Sequence, residues 1–216
     1  MIRIGFAGLE AFDVVLYIGR TLTKLNKRVL IIDLSNSNAL ETAINHGMDI
    51  DSNFNIVNYR DINYTRMVPS ENEINEFGVV IFSFGLECKS YELADKIILV
   101  CDILPSNIKK VKGILGNVYD KHDNVDMLIR NVINIEDVDR IVNLLDLKKN
   151  PANTSFHYYN LDDYESAVNC QVTQVIRFTN ISKEMNSYII QEIKSIFPDI
   201  KESVIKKAIY RARRGV

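Results

Sequence analysis

The chain has little that would staple it, span a membrane or hold a metal. Only three cysteines occur in 216 residues, Cys88, Cys101 and Cys170, and no CxxC pair is present. They are widely spaced and lie in or beside apolar stretches. That sets aside a disulfide scaffold and a thiolate zinc site, and predicts buried free thiols in a reducing compartment. The three histidines, His46, His122 and His157, fall far apart and form no ligand pattern. No apolar run reaches the ~18 residues of a membrane span. No secretory leader is read at the start, so a cytoplasmic protein is expected. Neither sign of charge dominates: the net charge is −2, which gives no global field toward nucleic acid or membrane. No Pro/Gly/Ser-rich linker and no repeat divides the chain. At 47% hydrophobic and 25% charged it reads as one globular domain over residues 1–216, with a sizeable core.

What is present is organised around its first 35 residues. Ile2 to Ala7 is a short apolar run. Val14, Val15, Ile18, Leu22 and Leu25 recur at helical spacing, and Arg28 to Asp33 is a second apolar run rich in Val and Ile. Two strands bridged by one helix make a right-handed βαβ unit with a parallel pair. The loop after the first strand then faces a helix N-terminus, where backbone N–H groups and the helix dipole favour a phosphate. Here that loop reads Ala7-Gly8-Leu9-Glu10-Ala11-Phe12-Asp13. It has one glycine, no lysine and no hydroxyl, whereas a phosphate-cradling loop uses all three. Glu10 and Asp13 place negative charge where phosphate would lie. Asp13 reads as an early helix acid or an N-cap.

Further on, Ala39 to His46 is expected to form a short helix closed by Gly47, and Asn55 to Tyr59 a short strand. Asp61 to Asn75 reads as polar and irregular, with a short helix starting near Ser70. Phe77 to Phe84 and Lys96 to Cys101 are almost purely apolar, as in strands buried on both faces of a parallel sheet. Helices are predicted from Ser106 to Leu115, Asp137 to Leu145, Asp162 to Asn169, Ser182 to Phe197 and Ile200 to Arg214. Strands are predicted from Asn124 to Arg130 and Ser155 to Tyr159. Alternation of this kind implies a three-layer α/β/α fold with a mostly parallel sheet.

Four ordered stretches resemble the MinD/ParA family of deviant P-loop ATPases. Ile2 to Ser35 is similar to its first strand and loop followed by its second strand, NKRVLIIDLS, and EFGVVIFSFGLE (Glu76 to Glu87) to its third-strand segment. ADKIILVCDILPSNIKKVKGIL (Ala94 to Leu115) is similar to the following strand and helix. DMLIRNVI (Asp126 to Ile133) is similar to the strand ending in the adenine-reading Asn. Carried over by position, the family's signature Lys falls on Phe6, its phosphate-binding Lys on Ala11 and its Mg²⁺-holding Thr on Phe12. The third-strand acid falls on Ile81 or Ser83. The survivors are Gly8, Asp33 and Asn131, read as vestigial nucleotide-binding positions, and none of them can move a phosphoryl group. Beside that reading, Asp33 is equally a loop cap and Asn131 a turn residue. Phe6, Phe12, Phe82 and Phe84 are expected to fill the vacated nucleotide pocket. Tyr158, Tyr159 and Tyr164, with Asp162 and Asp163, form an aromatic-acidic patch or an ordinary loop.

The resemblance therefore implies a pseudo-ATPase that keeps the fold, has no catalytic residue and takes no cofactor. It would act as a scaffold or localisation protein through protein–protein contacts, by analogy with pilus localisation factors of the TadZ/CpaE type. The family dimerises across its nucleotide sites, which implies a homodimer. The alternative is an ATP-binding positioning or partition switch with residual ATPase activity. A small-molecule enzyme is not favoured, because no nucleophile–base pair is read. The last stretch is basic, with Lys201, Lys206, Lys207, Arg211, Arg213 and Arg214 against Glu202, while Val204, Ile205, Ala208, Ile209 and Ala212 are read on one helical face. Such a helix either docks on the domain or makes a peripheral contact with a protein, an anionic membrane or DNA.

Overall fold

β1 (Ile2–Gly8) lies inside an eight-stranded sheet, with a parallel neighbour on each side. The structure, a computed structural model, describes residues 1–44, 56–123, 125–147 and 151–214. The sheet order is β3-β4-β2-β5-β1-β6-β7-β8. The further strands are β2 (Val29–Asp33), β3 (Val57–Tyr59), β4 (Ile62–Thr65), β5 (Val79–Gly85), β6 (Lys96–Asp102), β7 (Val125–Val132) and β8 (Thr154–Tyr158). All pairs are parallel except β3 with β4. The helices are α1 (Phe12–Lys24), α2 (Ala39–Ile44), α3 (Glu71–Ile74), α4 (Pro105–Tyr119), α5 (Glu136–Leu145), α6 (Leu161–Thr173), α7 (Lys183–Ile196) and α8 (Glu202–Ala212).

Two apolar layers hold the helices to the sheet. Ile4, Phe6, Ile31, Ile81, Ile98 and Val100 pack under α1, α2, α7 and α8. Leu30, Val80, Phe82, Leu99, Met127 and Ile129 pack under α4 and α5 on the other face. The alternation along each strand sends neighbouring residues to opposite layers, so the central strands are apolar throughout. Lys96 Nζ bonds Asp126 (2.7 Å) and Glu192 (2.8 Å), which ties α7 to the starts of β6 and β7. Pro105 is the first residue of α4, where its missing N–H costs nothing. That helix runs four residues beyond the predicted Leu115.

The three-layer α/β/α expectation holds, with one strand added. β4 falls in the stretch read as polar and irregular. It forms because Arg60 and Asp61 both take positive φ (49° and 68°), closing a two-residue hairpin from β3. Such turns are usually announced by Asn-Gly or Asp-Gly, and Arg-Asp carries no such signal. Ile62 and Tyr64 are then buried against β2. The expected His46, Gly47, Asn55 and Asn124 positions lie outside the described residues. Cys101 and Cys170 are buried free thiols, whereas Cys88 is half-buried. Among the described residues no helix is long and apolar enough to cross a membrane.

The last helix docks. Ile205, Ala208, Ile209 and Ala212 are buried on α1, while Lys206, Lys207, Arg211 and Arg214 are exposed and Arg213 is half-buried. Val204 departs from the expected apolar face: it is 45% exposed, because at position 204 the helix has turned away from α1. Lys206 pairs with Glu202 one turn earlier (2.6 Å), and the Arg214 guanidinium lies over the Tyr210 ring at 4.1 Å.

Candidate functional site

The chain leaves β1 through α1 toward β2 on one side of the sheet, and leaves β6 through α4 toward β7 on the other. Ligands of open α/β sheets bind at such a switch, beyond the C-terminal strand ends. A cleft of about 480 Å³ lies there. Leu9, Glu10, Phe12 and Asp13 line it after β1, Asp102 at the end of β6 and Asn107 in α4, and Arg130 and Asn131 at the end of β7. His157 and Tyr158 from β8 and Asp163, Tyr164 and Gln171 from α6 complete the far wall.

Its floor is an ion pair. Arg130 Nη1 and Nη2 reach Asp13 Oδ1 and Oδ2 at 2.9 and 2.6 Å, and Nη1 also donates to the Glu10 carbonyl at 3.2 Å. Two parallel N–H···O bonds are the strongest form of such a pair. Asp13 is 1% exposed. It sits in the first turn of α1, where the helix dipole favours an anion, but it does not cap the helix. The N-cap is Ala11, which offers no side-chain bond. The internal carboxylate thus occupies the electrostatic position of a phosphate at that helix start, and the cation that could receive one is already neutralised.

Glu10 closes the mouth of the loop. Its carboxylate accepts from the Ala11 N–H (3.0 Å) and from the Ser37 hydroxyl. Burial raises its pKa, against the Ser37 bond, which lowers it. The residues present do not fit a Mg²⁺–triphosphate: Ala11 and Phe12 stand where the lysine and the hydroxyl would be required, and the carboxylates of Glu10 and Asp13 flank them.

The three positions read as vestigial in the sequence separate in space. Gly8 has φ +102°, and a Cβ there would meet the Val100 carbonyl oxygen at 2.3 Å, so glycine is demanded by the backbone. Asp33 is buried and does not line the cleft. It accepts from the Ser35 N–H (3.1 Å), the Ser35 hydroxyl (2.7 Å) and the Tyr64 hydroxyl (3.2 Å), which is a loop-capping arrangement. Burial raises its pKa, opposed by those bonds. Asn131 does line the cleft. It takes φ +57° at the register shift of β7 against β8, a conformation Asn tolerates.

Of the four phenylalanines expected in the pocket, only Phe12 lines it. Phe6 is buried beneath α1, and Phe82 and Phe84 stack at 5.5 Å in the opposite layer. Strand parity decides this: Phe82 and Phe84 share a face that points at α4. Of the aromatic-acidic patch, Tyr158 and Tyr164 line the cleft and are exposed. Asp163 is drawn inward to accept from the Ser182 N–H and hydroxyl, both at 2.6 Å.

Arg130 and His157 carry the site without having been singled out in the sequence. Arg130 had a signal, the one cation of β7, directly after the apolar run Met127 to Ile129. His157 is 4% exposed and packs edge-on against Tyr188 at 4.9 Å. Neither ring nitrogen, nor the Tyr188 hydroxyl, has a hydrogen-bond partner among the described residues. Burial, and then the Arg130 charge, push its pKa down to about 4.

A pH dependence follows. A base whose folded pKa is depressed contributes stability that is complete above its unfolded value, about 6.5, and is lost as the pH falls toward 4. The expected slope is at most about 1.4 kcal/mol per pH unit in that window. The raised carboxylates Glu10 and Asp33 act with the opposite sign, so His157→Gln is the comparison that isolates it. Thermal melts from pH 7 to pH 4.5 should show a smaller acid-side loss in the variant than in the parent.

No family model and no curated protein matches the chain. Solved structures do. MinD in the MinC:MinD cell division complex of Aquifex aeolicus superposes with a TM-score of 0.56 at 15% identity, over 97% of this chain and 95% of that one. A plasmid-partition-type protein of Borrelia burgdorferi bound to AMPPNP gives 0.57 at 10% identity, over 98% and 99%. Apo McdA of Cyanthece gives 0.59 at 7% identity, over 97% and 100%. The chain has the MinD/ParA-type fold over nearly its whole length. Identities this low carry the fold and nothing further.

Proposed function

We propose that this chain is a non-catalytic MinD/ParA-like protein, a scaffold or localisation factor that works through protein–protein contacts in the cytoplasm. The observation that supports this is the Asp13–Arg130 pair, which seats an internal carboxylate at the start of α1 where the fold would otherwise present a phosphate site. In-line phosphoryl transfer needs cations at the transferred group, and the loop supplies anions. Isothermal titration with ATP, ADP and GTP, with and without Mg²⁺, should give no binding at micromolar nucleotide. Phosphate release should match a blank without protein. Ala11→Lys alone should change neither result, since Phe12 and the ion pair remain.

A second reading is an ATP-binding switch with residual turnover. It is favoured by the open cleft and by Asn131, Tyr158 and Tyr164 on its far wall. Micromolar, Mg²⁺-dependent binding in the same titration would select it.

The contact face we assign to the scaffold is the cleft rim, where Leu104, Ile133, Ile135, Tyr159, Leu161 and Tyr164 are each more than half exposed. Exposed apolar residues grouped around one mouth mark an interaction surface, and a homodimer formed there needs no nucleotide. Glu10 is a poor probe of it, because its carboxylate holds its own loop. Tyr164→Glu is a clean one. Sedimentation velocity at tens of micromolar should show a nucleotide-independent dimer that Tyr164→Glu weakens at least tenfold. A monomer throughout would remove this face from the proposal.

The basic side of α8 lies near the far end of α1, where Arg211 and Arg214 border a groove with Lys24 and Asp61. A cleft-to-cleft dimer therefore leaves it free for a peripheral contact with an anionic membrane or with DNA.

A further inference from the structure

β8 is the end strand of the sheet, and its outer side pairs with no described residue. Its sequence, Thr-Ser-Phe-His-Tyr, contains no charge and no proline, the usual protections of an exposed edge. Toward β7, Met127 N–H bonds the Asn153 carbonyl (2.8 Å) and Tyr159 N–H bonds the Val132 carbonyl (3.0 Å). Residues of a strand alternate in the direction of their backbone groups. Odd-numbered residues of this strand therefore face β7, and the N–H and C=O groups of Thr154, Phe156 and Tyr158 face outward.

Beside that edge lies a groove of about 430 Å³ between β8 and α7, lined by Ser155, His157, Ser187, Tyr188 and Gln191. His157 and Tyr188 are both more than nine-tenths buried, and neither has a hydrogen-bond partner for its side-chain polar atoms. Buried polar groups of this kind are costly unless a partner arrives.

We propose that β8 pairs antiparallel with β8 of a second copy of the chain, joining two sheets edge to edge. The strand is complementary to itself in one register. With the two-fold axis at Phe156, Phe156 lies opposite its own copy and Thr154 opposite Tyr158 of the second copy. These are the pairs whose free backbone groups meet. Phe156 is on the face that packs toward α5, so two phenyl rings become a cross-strand aromatic pair. On the α7 face, Ser155 of one copy comes opposite His157 of the other, twice. The serine hydroxyl offers the imidazole the partner it lacks, and a neutral ring can accept that bond. On α7 the exposed residues along the groove are Lys183, Glu184, Ser187 and Gln191, one charge of each sign, so two α7 helices approach without net repulsion.

This edge shares His157 and Tyr158 with the far wall of the cleft, but none of the six exposed rim residues lies on it. A protomer with both isologous faces can link by cleft and by edge alternately, so above the concentration at which cleft dimers form, those dimers join into an open chain of copies.

The test uses Tyr164→Glu protein, in which the rim contact is removed. Sedimentation at about 100 µM, a concentration that reveals even a modest dimer, should still show dimer. Adding Thr154→Pro should convert it to monomer at an unchanged melting temperature, because this exposed residue points its N–H outward and a proline there spares the β7 ladder. In a second variant, Phe156→Cys, opposed Cα atoms would lie at about 5.5 Å, within disulfide reach. Mild oxidation should give a covalent dimer that Val172→Cys, on the exposed side of α6, does not. A Tyr164→Glu protein that is monomeric at that concentration, or a dimer indifferent to Thr154→Pro, or no Phe156→Cys band above the Val172→Cys control, overturns the proposal. Failure of the rim contact alone reads differently: wild-type dimer then responds to Thr154→Pro and not to Tyr164→Glu.

Discussion

Asp13→Ala is expected to cost about 3–5 kcal/mol of folding stability, because removing one member of a buried ion pair strands the other charge. Arg130 would keep one bond to the Glu10 carbonyl and lose the bidentate carboxylate. For a chain of this size that is a fall in melting temperature of roughly 6–20 °C. The double variant Asp13→Leu with Arg130→Met should recover most of the loss, since apolar replacement of a whole buried pair is often neutral or stabilising. Chemical denaturation of the two single variants and the double variant measures the coupling directly. If Asp13→Ala costs under about 1 kcal/mol, the range of an exposed pair, water reaches the pair and it does not seal the loop. The same cycle bears on function. A pair that is strong when intact and dispensable when replaced as a unit serves as a plug of the loop.

This plug also shows what the sequence could and could not disclose. The βαβ opening, the buried strands and the order of elements were legible because apolar periodicity survives when binding residues are exchanged. The departure of the loop from a phosphate-cradling one was legible from what it lacks, since Ala11 and Phe12 stand where the resemblance puts lysine and threonine. Its replacement was not legible. Asp13 and Arg130 are 117 positions apart, and only the topology that sets β1 near β7 brings them together. Glu10 and Asp13 were readable as negative charge repelling a phosphate, but not as one half of a satisfied pair. His157 was hidden for a similar reason: its isolation from polar partners depends on α7 crossing over β8. Three of the four phenylalanines missed the cleft, Phe82 and Phe84 on strand parity. A ring on one face of a strand is as apolar as one on the other, and the pleat, which sends adjacent residues to opposite faces, alone separates them. β4 failed because an Arg-Asp turn gives no warning of its positive φ angles.

The second large effect is expected in α8. Ile205 is fully buried and Ile209 is 3% exposed, both against α1, so truncation of either to Ala should cost roughly 2–5 kcal/mol. Helix α1 also carries Asp13 in its first turn. Its packing on α8 is therefore part of what holds the loop after β1 in place. Ile205→Ala and Ile209→Ala touch the same helix surface, so their joint cost should depart from the sum of the singles. Exchange of Lys206, Lys207, Arg211, Arg213 and Arg214 for Gln should leave the melting temperature nearly unchanged, since most of these groups are solvated and surface pairs contribute little. It should instead abolish any co-sedimentation of the protein with anionic vesicles or with DNA at low salt. Each basic residue near an anionic surface contributes about 1 kcal/mol, and salt screens that attraction. The two variant sets thus separate the roles of one helix: the apolar side sets stability, and the basic side sets adhesion. If wild-type protein sediments with neither surface at low salt, the basic side has no contact role and α8 serves the fold alone. A melting temperature that drops sharply on the Gln exchange would instead place those cations in the docking of α8 on α1.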